Sequence, residues 1–124
     1  MNVNPLIEKC LEGLTYKGEE VPVSPIVKAK DADAYITYYT YLEQPADYAD
    51  DEPQSEETSA TVDIWCRGDF KPLLAEVKNR LRAASFSIQG IGPEQYESKT
   101  MIYHVPIDIY AVGTDDEGGD ERWH

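Results

Sequence analysis

The chain has 124 residues, with 24 acidic side chains against 11 basic ones and a formal charge of −13. At this length one domain around a single core is expected, which excludes most multi-domain machinery. A field of this sign repels phosphate backbones and anionic lipid, which argues against sequence-specific nucleic-acid binding and against membrane association.

The acidic excess is localised. Glu43 to Glu57 contains seven acids and no base, and Asp115 to Glu121 contains five acids; with Arg122 also set aside, the remainder carries 12 acids against 10 bases. The expected folded body is therefore nearly balanced, spanning 1–112, with an acidic mobile loop at 43–57 and a disordered acidic tail at 113–124.

In chain order, Leu6, Ile7, Cys10, Leu11 and Leu14 follow helical spacing after Pro5, and Gly13 suggests the end of that helix. Val21, Val23, Ile26 and Val27 can supply a short strand. Ala34 to Leu42 is dense in tyrosine, threonine and β-branched residues, the composition of a strand. Its alternation puts Ala34, Ile36, Tyr38, Thr40 and Leu42 on one face and Tyr35, Thr37, Tyr39 and Tyr41 on the other.

Beyond the acidic segment, Ala60, Val62, Ile64 and Cys66 alternate with Thr61, Asp63, Trp65 and Arg67, which predicts a half-buried strand and an antiparallel hairpin with the preceding one. Gly68 breaks it, and Asp69 is placed to cap a helix running from Phe70 to Ala84, with Pro72 in its first turn. Phe70, Leu73, Leu74, Val77, Leu81 and Ala84 form its apolar stripe. Lys99 to Val112 reads as a final extended element with Met101, Tyr103, Val105, Ile107 and Ile109 on one face. At about 3.4 Å per residue the whole stretch is too long for a straight core strand, and Pro106 predicts a bulge or an edge position. The fold class expected from this order is α+β: helices packed on a mostly antiparallel sheet in a single-domain sandwich.

Cys10 and Cys66 are too few for a disulfide framework and read as free buried thiols of a reduced, cytoplasmic protein. Met1 to Cys10 lacks a secretory leader pattern, and nowhere do eighteen apolar residues run together.

Together these elements resemble the tail completion, or head-to-tail joining, proteins of long-tailed bacteriophages. The features that carry the likeness are the aromatic strand YITYY, the acidic ADYADDE segment, the VDIW strand, GDF opening a helix, and the late YESKTMIYH strand. The resemblance covers about two thirds of the chain, and the added PQSEE after ADDE and the acidic tail depart from it. It implies a non-enzymatic virion protein of the tail terminator type, a ring, commonly hexameric, that ends the tail tube. Its implied partners are further copies of itself, the tail tube protein, and the head connector or head completion protein. Its implied location is the host cytoplasm during assembly and then the head–tail junction. The pattern carries over to Tyr48, Asp50, Asp51 and Glu52 in the acidic segment, Asp63 and Trp65 on the following strand, Gly68 and Asp69 at the start of the helix, and Tyr96, Glu97, Tyr103 and His104 near the final strand.

The residues read on their own support a contact surface more than a reaction. Tyr39, Tyr41, Trp65 and Tyr110 are large amphipathic rings suited either to an interface or to packing against the helices, and strand alternation does not label the inner face. His104, on the alternation of Pro106, Asp108 and Tyr110, reads as a half-exposed packing or interface residue. No nucleophile elbow, phosphate-binding loop or calcium-loop spacing occurs, so neither an enzyme activity nor a cofactor is expected. Arg67-Gly68-Asp69 reads as turn and cap rather than as an adhesion ligand. The alternative function is a monomeric acidic adaptor or inhibitor that binds a basic protein surface by charge steering.

Overall fold

The computed structural model describes residues 3–25, 32–45 and 55–114. Helix α1 (Asn4–Cys10) starts with proline in its first turn, and its chain leaves through Gly13 at φ +83°, a left-handed conformation that costs glycine nothing. Strands β1 (Thr15–Tyr16) and β2 (Glu19–Glu20) then pair across Lys17-Gly18. Both loop residues have positive φ, the requirement of a two-residue hairpin turn that matches strand twist. Strand β3 (Val23–Ser24) runs parallel to β4 (Ala34–Pro45), and β4 pairs antiparallel with β5 (Ser55–Cys66).

Helix α2 (Lys71–Ala83) has proline in its first turn, and Asp69 Oδ1 accepts the Lys71 backbone N–H at 3.1 Å. The helix ends in a pair of bonds, Ser85 N–H to the Arg82 carbonyl and Phe86 N–H to the Leu81 carbonyl, with Ser85 at φ +74°. Phe86 and Leu81 are both in the core, which completes a Schellman-type stop built on serine rather than glycine. Strands β6 (Ser87–Ile91), β7 (Gln95–Glu97) and β8 (Ile102–Thr114) follow.

The main sheet has the order β3-β4-β5-β8-β6, with β7 also on β8, and every pair except β3–β4 is antiparallel. This is the expected single-domain α+β sandwich, with both helices on one face. Ile7 of α1, Leu11 at its C-cap, and Leu73, Val77 and Leu81 of α2 meet Ile36, Tyr38, Val62, Ile64, Val105, Ile107 and Ile109 from the sheet. Two polar ties seat α1 on β4: Tyr38 Oη donates to Glu8 Oε2, and Thr40 Oγ1 donates to Asn4 Oδ1 at 2.7 Å.

Four expectations need correction. The acidic loop does not occupy all of 43–57, because Glu43, Gln44 and Pro45 pair with Thr58, Glu57 and Glu56; the rest, 46–54, lies outside the described residues. Similarly, β8 claims 113 and 114 from the expected tail, and 115–124 lies outside the described residues. A bulge at Tyr41 resets the β4 alternation, so that Leu42 stands opposite Ser59 rather than opposite a core position.

The fourth concerns the last strand. It is neither too long nor an edge: β8 pairs with β5 over twelve successive positions without a register shift. Pro106 is accommodated by orientation. Its carbonyl accepts the Gly92 N–H at 2.9 Å, so its nitrogen faces the same side, at the gap between β6 and β7, and the ladder to β5 loses no donor. Gly92 is required there, since a Cβ would stand 2.7 Å from Pro106 Cγ.

Candidate functional site

Strand alternation places Tyr35, Thr37 and Tyr39 of β4, Ser59, Thr61, Asp63 and Trp65 of β5, and His104, Pro106, Asp108 and Tyr110 of β8 on the sheet face opposite the helices. Register then turns three separate stretches of sequence into transverse rows. One row is Tyr35, Trp65, His104 and Gln95, and the next is Thr37, Asp63 and Pro106.

The first row is a ring stack. Trp65 lies 4.0 Å from His104 between centroids with planes 3° apart, and 5.8 Å from Tyr35 with planes 10° apart. The two rows are bonded to each other diagonally. Trp65 Nε1–H donates to Thr37 Oγ1 at 2.9 Å, and His104 Nε2 lies 2.7 Å from Asp63 Oδ1, a hydrogen bond that becomes an ion pair when the imidazole is protonated. One row further on, Thr61 Oγ1 donates to Asp108 Oδ1 at 3.0 Å.

These bonds explain why Asp63, only 8% exposed, is tolerated on this face: a carboxylate withdrawn from water keeps a bonded partner. Burial also raises the Tyr35 hydroxyl above its ordinary pKa, with Arg67 opposing and Glu97 adding to the rise. Tyr39 remains 49% exposed and Tyr110 is half-buried, while Trp65 and His104 are intermediate.

The structure thus brings Asp63, Trp65 and His104 into one bonded group, with Tyr39 and Tyr110 on the same face. Tyr41 sits in the bulge of β4, and Tyr48, Asp50, Asp51 and Glu52 lie outside the described residues. Tyr103 belongs to the other face: it contacts Phe70 at 5.4 Å and Tyr96 at 4.7 Å, so it does not share a surface with its neighbour His104.

Arg67-Gly68-Asp69 forms the turn into α2: Arg67 N–H donates to the Asp33 carbonyl, and a Cβ on Gly68 would lie 2.7 Å from Tyr16 Oη; the N-cap is Phe70 rather than Asp69, which stands one residue earlier and accepts the Lys71 N–H. Sequence reasoning missed Thr37, the acceptor for Trp65, and Asp108, the acceptor for Thr61. The only available signal was their position on the same alternation, which says nothing about which rows align.

Both cysteines are free thiols, Cys66 buried and Cys10 half-buried. Burial pushes Cys10 up to about 11, against the opposing charge of Arg80. Among the described residues no group of three or more histidine, cysteine, aspartate or glutamate side chains is arranged to hold a metal ion, and no helix is long and apolar enough to cross a membrane. No protein-family model matches the chain, and no curated protein is significantly similar to it in sequence.

Proposed function

We propose that the chain is a structural subunit that acts by docking, and specifically a tail terminator of a long-tailed phage. In this reading it caps the tail tube as a ring, commonly of six copies, and meets the head connector or head completion protein at the head–tail junction. The observation that carries the docking role is the sheet face that neither helix of the described residues covers. Three polar pairs on it are bonded, Trp65 to Thr37, His104 to Asp63 and Thr61 to Asp108, which gives a pre-ordered platform on which Tyr39 stays half-exposed. A surface ordered before contact loses less conformational entropy when a partner covers it. Aromatic residues supply contact area at low entropy cost, which suits them to such surfaces. The terminator assignment itself rests on the likeness of the YITYY, VDIW, GDF and YESKTMIYH segments and their order.

The test is complementation of a tail preparation made without this protein, scored by tail length and by joining to filled heads. The parent chain should restore both, and Trp65→Ala, once shown to be folded, should restore neither fully. Normal length control and joining with no added protein would remove the assignment, and an acidic adaptor would leave tails unchanged while binding a basic partner.

A further inference from the structure

The helical layer has two flanks of opposite charge above opposite edges of the sheet. Helix α1 lies over β4, bonded through Tyr38 and Thr40, whereas α2 lies over β8 and β6, with Phe70 on Tyr103. Arg80 shows how α2 is turned. It reaches back toward α1, donating to the Glu12 carbonyl at 2.6 Å and pairing with Glu76 at 3.0 Å. Val77 and Leu81 point into the core. At 100° per residue, Lys71, Lys78 and Arg82 then share one stripe on the flank away from α1.

Beside that basic stripe, on the helix side of the β6–β7 edge, are two exposed apolar residues, Ile91 at 40% and Tyr96 at 51%. The other flank carries an open cleft of about 600 Å³ between α1 and β2–β3, with Glu8, Glu12 and Glu20 around it and Pro5, Pro22 and Val23 in its walls. Lys9 on the acidic flank and Glu94 on the basic one reduce each charge without changing its sign, and Lys17 and Asp69 line one hollow together at the start of α2.

We propose that copies of this chain associate head to tail, the basic α2 flank of one seating on the acidic α1 cleft of the next. The inference rests on the reading of the protein as a ring-forming structural subunit and adds the two surfaces that meet. An isologous two-fold contact through either flank sets like charge against like, whereas a heterologous contact sets basic stripe against acidic cleft and apolar edge against proline and valine walls. Charge complementarity therefore selects the second copy as occupant of the cleft, in a repeat that closes into a ring or continues.

Two reversed chains test it. Glu12→Lys with Glu20→Lys makes both flanks basic, and Lys78→Glu with Arg82→Glu makes both acidic; Glu8 is left alone because it holds Tyr38. All four sites are on the surface or half-exposed, and circular dichroism with thermal melting confirms the fold of each chain. In sedimentation velocity and native mass spectrometry the parent should form oligomers that grow with concentration beyond two copies. Each reversed chain alone should associate at least about tenfold more weakly, and their equimolar mixture should regain assembly. A parent that stays monomeric or stops at a dimer overturns the proposal, as do reversed chains that associate like the parent or a mixture that fails to recover. Tail complementation separates the two levels. A parent that restores tails while the reversed chains still associate normally loses this interface and keeps the terminator role; a parent that assembles as described without restoring tails loses only that role.

Discussion

Asp63 and His104 show how a single side chain on the face opposite α1 and α2 is held in place by another forty-one positions away. The imidazole does two separable things: its ring stacks on Trp65, and its Nε2 satisfies a nearly buried carboxylate. His104→Phe keeps a flat ring against the indole but leaves Asp63 without that partner, and should cost about 1–3 kcal/mol, the range for stranding a buried polar group. Adding Asp63→Ala to His104→Phe should cost less than the two single losses combined, because the second truncation removes the stranded group. Urea unfolding of the four chains measures the coupling, and strictly additive losses would show that the bond contributes nothing to stability. Tyr39 stands in contrast. It is half-exposed on the same face, so its truncation should be felt in docking before it is felt in folding.

At the scale of elements, α2 is the principal cover of the sheet, and its stripe is graded rather than uniform. Leu73, Val77 and Leu81 are buried, whereas Leu74, on the flank away from α1, is only partly so. Leu81→Ala should cost about 2–5 kcal/mol and Leu74→Ala clearly less, since water already reaches part of that side chain; equal shifts of the urea midpoint would place the helix differently. This helix, the two faces of β5, the start of β4 and the hairpin between them are legible in the sequence, because a period of 3.6 or 2 is a local signal. The missed features depend on relations that no local period encodes. Lys17-Gly18 makes a hairpin turn without the usual asparagine or aspartate, the bulge at Tyr41 breaks a pattern that reads as continuous, and β6 and β7 are short strands in a stretch dominated by turn residues. Pro106 argues for an edge until Gly92 is seen to receive its outward side. The site divides the same way: Asp63, Trp65 and His104 are legible one at a time, and their union waits on the register that sets Trp65 opposite His104.

For the molecule as a whole, three of the four groups with raised pKa values mark how the layers are joined; the fourth, Tyr35, lies on the opposite face. Tyr38, in the core with its hydroxyl on Glu8, is raised first by burial and then by that carboxylate. Cys10, on α1, is raised from 9.0 to about 11 by burial, and Tyr16, on β1, from 10.0 to about 12 by the neighbouring Cys66 thiol and then by burial. All three belong to the N-terminal segment or to the strand it lies on, and in each the neutral form is the one the folded chain favours. Their contribution to stability is therefore complete below the unfolded values and is lost as pH rises through the folded ones, a window of about pH 9 to 12. Stability should hold from neutral pH to about 9 and then fall, as the unfolded chain gives up protons that the folded chain keeps. Tyr38→Phe identifies the part that belongs to the α1 seam. It removes the hydroxyl bonded to Glu8, so the variant should be less stable than the parent near neutrality yet lose stability less steeply above pH 9. Urea midpoints followed from pH 7 to 11 on both chains decide the matter: parallel curves would mean that the seam between α1 and the sheet has no share in the alkaline decline.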